Sequence, residues 1–190
     1  MLFGDSPISP KELIQELISG VRSHDGGKTW SMDRNKIWTD AVKLTMKNIG
    51  ESRSAYTKCY YTKAEPHMKE FLLDLVWWDK SRTEGATLAC ECEWQFTPRT
   101  SNETYIKAVG EDFGKLLVFK APLKLMIFAS SDACPPGPIV KEINRYLKSY
   151  KHHVTGETYL AVDFVRSPKA WIARVDQDGA IQPKLSAFEI

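Results

Sequence analysis

Apolar and polar residues alternate along this chain with two periods, and the switches between them outline a mixed α/β protein. Leu13, Ile14, Leu17, Ile18 and Val21 recur at helical spacing behind Ser9-Pro10, a pair suited to a helix start. Gly26-Gly27 marks a break. Asp33 then caps a second predicted helix, whose stripe of Ile37, Trp38, Ala41, Val42, Leu44, Thr45 and Ile49 runs to about Gly50. The period next drops to two. Tyr56–Thr62, Glu70–Trp78 and Ala86–Trp94 predict three strands in a meander, with Pro66 and the polar stretch 79–85 as the interruptions.

Behind Pro98 and Asn102, a helix is predicted to about Lys120, with Tyr105, Ile106, Val109, Phe113, Leu116 and Leu117 facing inward. Pro122 ends it. The continuous apolar run 123–129 then predicts a strand buried on both faces and reached by a helical crossover. The stretch 135–138, Pro-Pro-Gly-Pro, opens a helix from Ile139 to about Tyr150, and Glu157–Arg166 alternates as a strand. Residues Trp171–Val175 and Ala180–Phe188 predict a hairpin around Asp178-Gly179. The order of elements implies a mixed central β-sheet flanked by helices. The 190 residues suit a single domain. No repeat or low-complexity segment is evident.

Three acids stand out against this pattern. Asp74 interrupts an apolar strand. In the next strand Leu88, Cys90, Cys92 and Trp94 point one way, while Ala89, Glu91, Glu93 and Gln95 point the other. Glu91 and Glu93 therefore share a face, and pairing of the two strands brings Asp74 toward them. Charges in such strands need compensation. A hard cation, most simply Mg²⁺ with Mn²⁺ as the alternative, would supply it. The competing reading of Glu-x-Glu is the wet face of an antiparallel strand.

Composition adds little that is specific. The formal charge is +2, but its distribution is uneven. Residues 22–63 carry nine Lys/Arg, Lys43 among them, against four Asp/Glu; residues 65–115 carry ten Asp/Glu against six Lys/Arg. A basic flank beside an acidic centre suits a metal-dependent enzyme on a polyanion, and equally suits solvated helix faces. Lys141, Arg145, Lys148 and Lys151 form another basic face open to both readings. Cys90 and Cys92 fall on an apolar face and read as core, and His152-His153 lacks a partner pair at zinc-finger spacing. No apolar run approaches membrane-spanning length, and the N-terminus lacks signal-peptide blocks, so a cytoplasmic location and no membrane partner are expected. Phosphate-cradling glycine loops and Gly-x-Ser-x-Gly elbows are absent from the sequence.

The order from about Asp33 to Ala129, with an acid on the second strand and Glu-Cys-Glu on the third, resembles the core of the PD-(D/E)XK nuclease superfamily, the restriction-endonuclease-like fold. On that resemblance residues 33–129 are the core, 1–32 an N-terminal helical extension and 130–190 a C-terminal elaboration. It implies a metal-dependent nuclease acting on DNA, with Asp74, Glu91 and the carbonyl of Cys92 as metal ligands. Glu93 stands where the family usually has lysine. In some branches that lysine has moved to the crossover helix, where Lys115 lies here. The implied catalytic set is thus Asp74, Glu91, Glu93 and Lys115, with Glu93 as a second metal ligand or a base. Loss of the motif lysine favours the alternative, an inactive module of that fold that binds nucleic acid or a protein. A homo-oligomer built through the terminal hairpin is a third expectation.

Overall fold

The computed structural model describes residues 8–24, 35–53, 55–59, 73–79, 85–94, 100–164, 167–176 and 184–190. Two helices lead, α1 (Pro10–His24) and α2 (Asn35–Ser52). Three strands follow, β1 (Tyr56–Cys59), β2 (Leu75–Trp78) and β3 (Ala86–Glu93). Then come α3 (Asn102–Val118), β4 (Leu123–Phe128), α4 (Pro136–Ser149), β5 (Thr158–Asp163), β6 (Lys169–Arg174) and β7 (Ser186–Phe188). The expected Asp33 cap, the Gly26-Gly27 break, Pro66, Gln95, Pro98 and the Asp178-Gly179 turn lie outside the described residues.

All seven strands form one sheet in sequence order. Strands β1, β2 and β3 are mutually antiparallel, β3, β4 and β5 parallel, and β5, β6 and β7 antiparallel again. Each parallel step needs a crossover, and α3 and α4 supply the two. Both steps run in the same direction across the sheet, so the common handedness of crossovers sets both helices on one face. There Val109, Phe113, Ile139 and Ile143 pack on Ala89, Met126, Phe128 and Ala161. Helices α1 and α2 cover the other face, where Leu13, Leu17, Val42 and Met46 pack on Leu88, Leu125, Ile127 and Leu160. Strand β4 is buried at all six positions, as its continuous apolar run predicts.

That run carries one charge. Lys124 is wholly buried on the α3 and α4 side, its ammonium 2.6 Å from Glu157 Oε1 and 3.3 Å from the Leu117 carbonyl. Burial lowers its pKa against the opposing pull of Glu157. Glu157 also accepts hydrogen bonds from the Val154 amide and the Tyr159 hydroxyl.

Several element ends differ from the sequence reading. Helix α4 begins at Pro136 rather than Ile139, because a proline at the first helical position has the right φ and no amide to satisfy. Helix α3 is capped by Ser101, whose hydroxyl accepts from the Thr104 amide, and it stops at Val118 rather than Lys120. Strand β2 is shorter than expected. Its ladder begins at Leu75, which leaves Asp74 beyond the strand.

Trp77 and Trp94 are core, and Trp78 is half-buried. Cys90 is core, with Cys92 half-buried against the same cluster. Arg145 of the basic α4 face is held by both carboxylate oxygens of Glu142 and lies over Tyr146. Among the described residues, no helix is long and apolar enough to cross a membrane.

Candidate active site

The end of β2 creates the site. Cys92 on β3 has no ladder partner there on the β2 side, and its amide donates instead to Asp74 Oδ2 at 2.9 Å. A side chain thus takes over where the backbone ladder stops. This is why Asp74 leaves the strand while staying at its edge.

Glu91 projects from β3 toward α3. It is only 3% exposed, which excludes the wet-face reading; Glu93, at 8%, is buried as well. Lys115 comes from the last turns of α3 and bonds Asp112 Oδ1 at 2.6 Å. Its ammonium makes a long ion pair with Glu91 Oε1 at 3.4 Å, and among the described residues that buried oxygen has no closer donor. Segments distant in sequence thus place Asp74, Glu91 and Lys115 near one another. The site opens to solvent on the side of Lys115, whose side chain is 40% exposed.

Burial first, and the Asp74 charge second, push the Glu91 carboxyl up to about 9, against the downward pull of Lys115. Two carboxyl groups this close cannot both ionise cheaply. Burial works to lower the pKa of Lys115, but its hydrogen bond to Asp112 and the charges of Glu91 and Asp112 raise it overall, so it stays cationic. The Cys92 thiol is held well above its ordinary value, chiefly by hydrogen bonding to Cys90 and then by burial. Cys92 packs its side chain against the cluster on the α1 and α2 side of the sheet, away from Glu91. Its backbone is what faces the site: the amide already points to Asp74, and strand geometry turns the carbonyl to the same edge.

Glu93 lies one step further along the same strand face. Its backbone carbonyl lies 3.2 Å from the Tyr105 hydroxyl. That hydroxyl donates to the Ala129 carbonyl at 2.6 Å and accepts from the Ala129 amide at 3.0 Å. Tyr105 thereby ties the ends of β3 and β4 beneath α3.

One partner was not singled out from the sequence. Lys43 of α2 places its ammonium 3.0 Å from Asp74 Oδ1 and is only 8% exposed. The one available signal was its place among apolar residues, between Val42 and Leu44. Among the described residues, no group of three His, Cys, Asp or Glu side chains is arranged to hold a metal ion. A pair is present, Asp74 with Glu91; oxygen donors of this kind suit a hard cation, and among the described residues the cations facing them are Lys43 and Lys115. Comparison with known proteins finds no matching family model, no matching curated protein and no matching solved structure.

Proposed function

We propose that this protein is a metal-dependent nuclease that hydrolyses phosphodiester bonds in DNA, a divergent relative of the PD-(D/E)XK nucleases. One observation carries the reading. Asp74 at the edge of β2, Glu91 of β3 and Lys115 of α3 meet at a partly open point around a buried carboxyl oxygen whose nearest cation among the described residues, Lys115, stands at 3.4 Å. The order α2, β1, β2, β3, α3, β4 supports it, since that superfamily's core is a helix, three strands, a crossover helix and a strand.

Asp74, Glu91 and the Cys92 carbonyl would hold Mg²⁺, or Mn²⁺ in its place. When bound, the ion supplies Lewis-acid polarisation of the phosphate and a more acidic water. Lys115 sits at the open side with its charge retained, where it neutralises charge building on the phosphate. Asp112 holds that ammonium in position. Glu93, next along the strand face, serves as an additional ligand rather than a base, because a carboxylate near a divalent cation is a weak base.

The test is cleavage of supercoiled plasmid, linear duplex, single-stranded DNA and RNA with Mg²⁺, Mn²⁺ or EDTA. DNA cutting should require the metal and vanish in Glu91→Ala. Lys115→Met should lower the rate by about 10²-fold, the scale of one lost electrostatic stabiliser. A second reading, an inactive module of the same fold, is favoured by the lysine at each carboxylate, Lys43 on Asp74 and Lys115 beside Glu91. It predicts no cutting of any substrate by folded, metal-supplied protein, and nucleic-acid or protein binding that Glu91→Ala leaves unchanged.

A further inference from the structure

Helix α2 packs on the face of the sheet opposite α3, so its side chains have no ordinary route to a site on the α3 side. Lys43 has one because β2 starts at Leu75. Asp74, past the strand's end, is open to both faces. The two oxygens of its carboxylate divide accordingly, Oδ1 to Lys43 at 3.0 Å and Oδ2 to the Cys92 amide at 2.9 Å. The carboxylates of Asp74, Glu91 and Asp112 thus meet two ammonium groups of different kinds. Lys115 is half-exposed at the open side, whereas Lys43 is buried behind Asp74. Burying an ammonium is costly unless an opposite charge compensates it, and Asp74 provides that charge.

We infer that Lys43 is the resident counter-ion of this metal site, a positioning residue that fixes the Asp74 carboxylate and that an incoming divalent cation must compete with. The inference rests on the metal-site reading above. A fixed positive charge one carboxylate away from a metal repels it, most strongly where water is excluded. Removing that charge should tighten metal binding even as it loosens the metal-free protein. A lysine that merely supported the fold would weaken metal binding when removed, or leave it unchanged. Tighter binding is therefore the informative sign.

The experiment titrates the full chain with Mn²⁺, by free-ion paramagnetic resonance or calorimetry, for wild type, Lys43→Met, Lys43→Gln and Lys43→Arg. Thermal melts are run with and without Mn²⁺. The neutral variants should bind Mn²⁺ about tenfold more tightly, as expected for one charge removed from a shielded site. Their metal-free melting temperature should fall and be restored by Mn²⁺. Lys43→Arg should keep wild-type affinity. Equal or weaker binding by folded neutral variants, with wild type binding, would overturn the inference and leave the metal site standing. Loss of the folded state in both neutral variants would assign Lys43 to the fold alone and also overturn it. No Mn²⁺ binding by any folded form would overturn it together with the metal-site reading.

Discussion

Glu91 shows how one side chain can report on a site. Burial first, and then Asp74, push its carboxyl up from the ordinary 4.5 to about 9. The folded protein therefore binds the proton more tightly than the unfolded chain. The stability linked to this proton is full below about pH 4.5 and is lost as pH rises through about 9. Glu91→Gln should match wild type in acid and become more stable than it as pH rises, by on the order of 3 kcal/mol near pH 7. Chemical denaturation of metal-free protein from pH 4 to 9 checks this, and a gap that shrinks with rising pH would contradict it.

Lys124 and Glu157 behave differently, since both are buried and face each other. Glu157→Leu leaves a buried ammonium unpaired and should cost about 3–5 kcal/mol, while Lys124→Met with Glu157→Leu should recover most of it. Urea unfolding of the single and double variants measures the difference.

Helices meet closely at two glycines, and the packing there is specific. A Cβ on Gly20 of α1 would lie 2.4 Å from Thr45 Cγ2 on α2. A Cβ on Gly110 of α3 would lie 2.7 Å from the Tyr146 ring on α4. An alanine in a helix ordinarily gains up to about 1 kcal/mol over glycine. Here overpacking should win, and Gly20→Ala should lower stability by about 1–3 kcal/mol. Thr45→Ala added to it should restore stability, because it removes the clashing methyl and a buried hydroxyl that has no partner among the described residues. Thermal melts of the two variants test the pair.

Strand β2 makes the same point about boundaries. Its sequence is strand-like well before Leu75, yet the ladder begins only there. The Asp74 side chain has taken the Cys92 amide, a competition between side chain and backbone that no local pattern reveals.

Across the whole molecule, β3, β4 and β5 form a parallel centre covered on both faces, and the antiparallel strands extend to either edge. Amide hydrogen exchange should be slowest along β4, which is buried throughout, and fastest at the outer strands β1 and β7. A β4 that exchanged as fast as β7 would contradict the described sheet. This arrangement also explains why charge pattern was a weak guide to the site. The basic stretch 22–63 contributes Lys43, and that contact depends on where α2 crosses the sheet edge, not on the net charge of the stretch.

The sequence by itself determined the elements and the faces. Period-two alternation set Glu91 and Glu93 on one side of β3, an unbroken apolar run marked β4 as central, and helical stripes identified the covering layers. These are local properties, fixed by backbone geometry and by the removal of apolar side chains from water. Tertiary structure alone decided the rest: that Glu91 is buried, that Lys115 pairs with it at 3.4 Å, and that Asp74 steps out of its strand to meet Lys43 from the far face. Each depends on how distant segments approach in space. Electrostatics follows those distances and the exclusion of water rather than separation along the chain, so the charges were visible in the sequence but their partners were not.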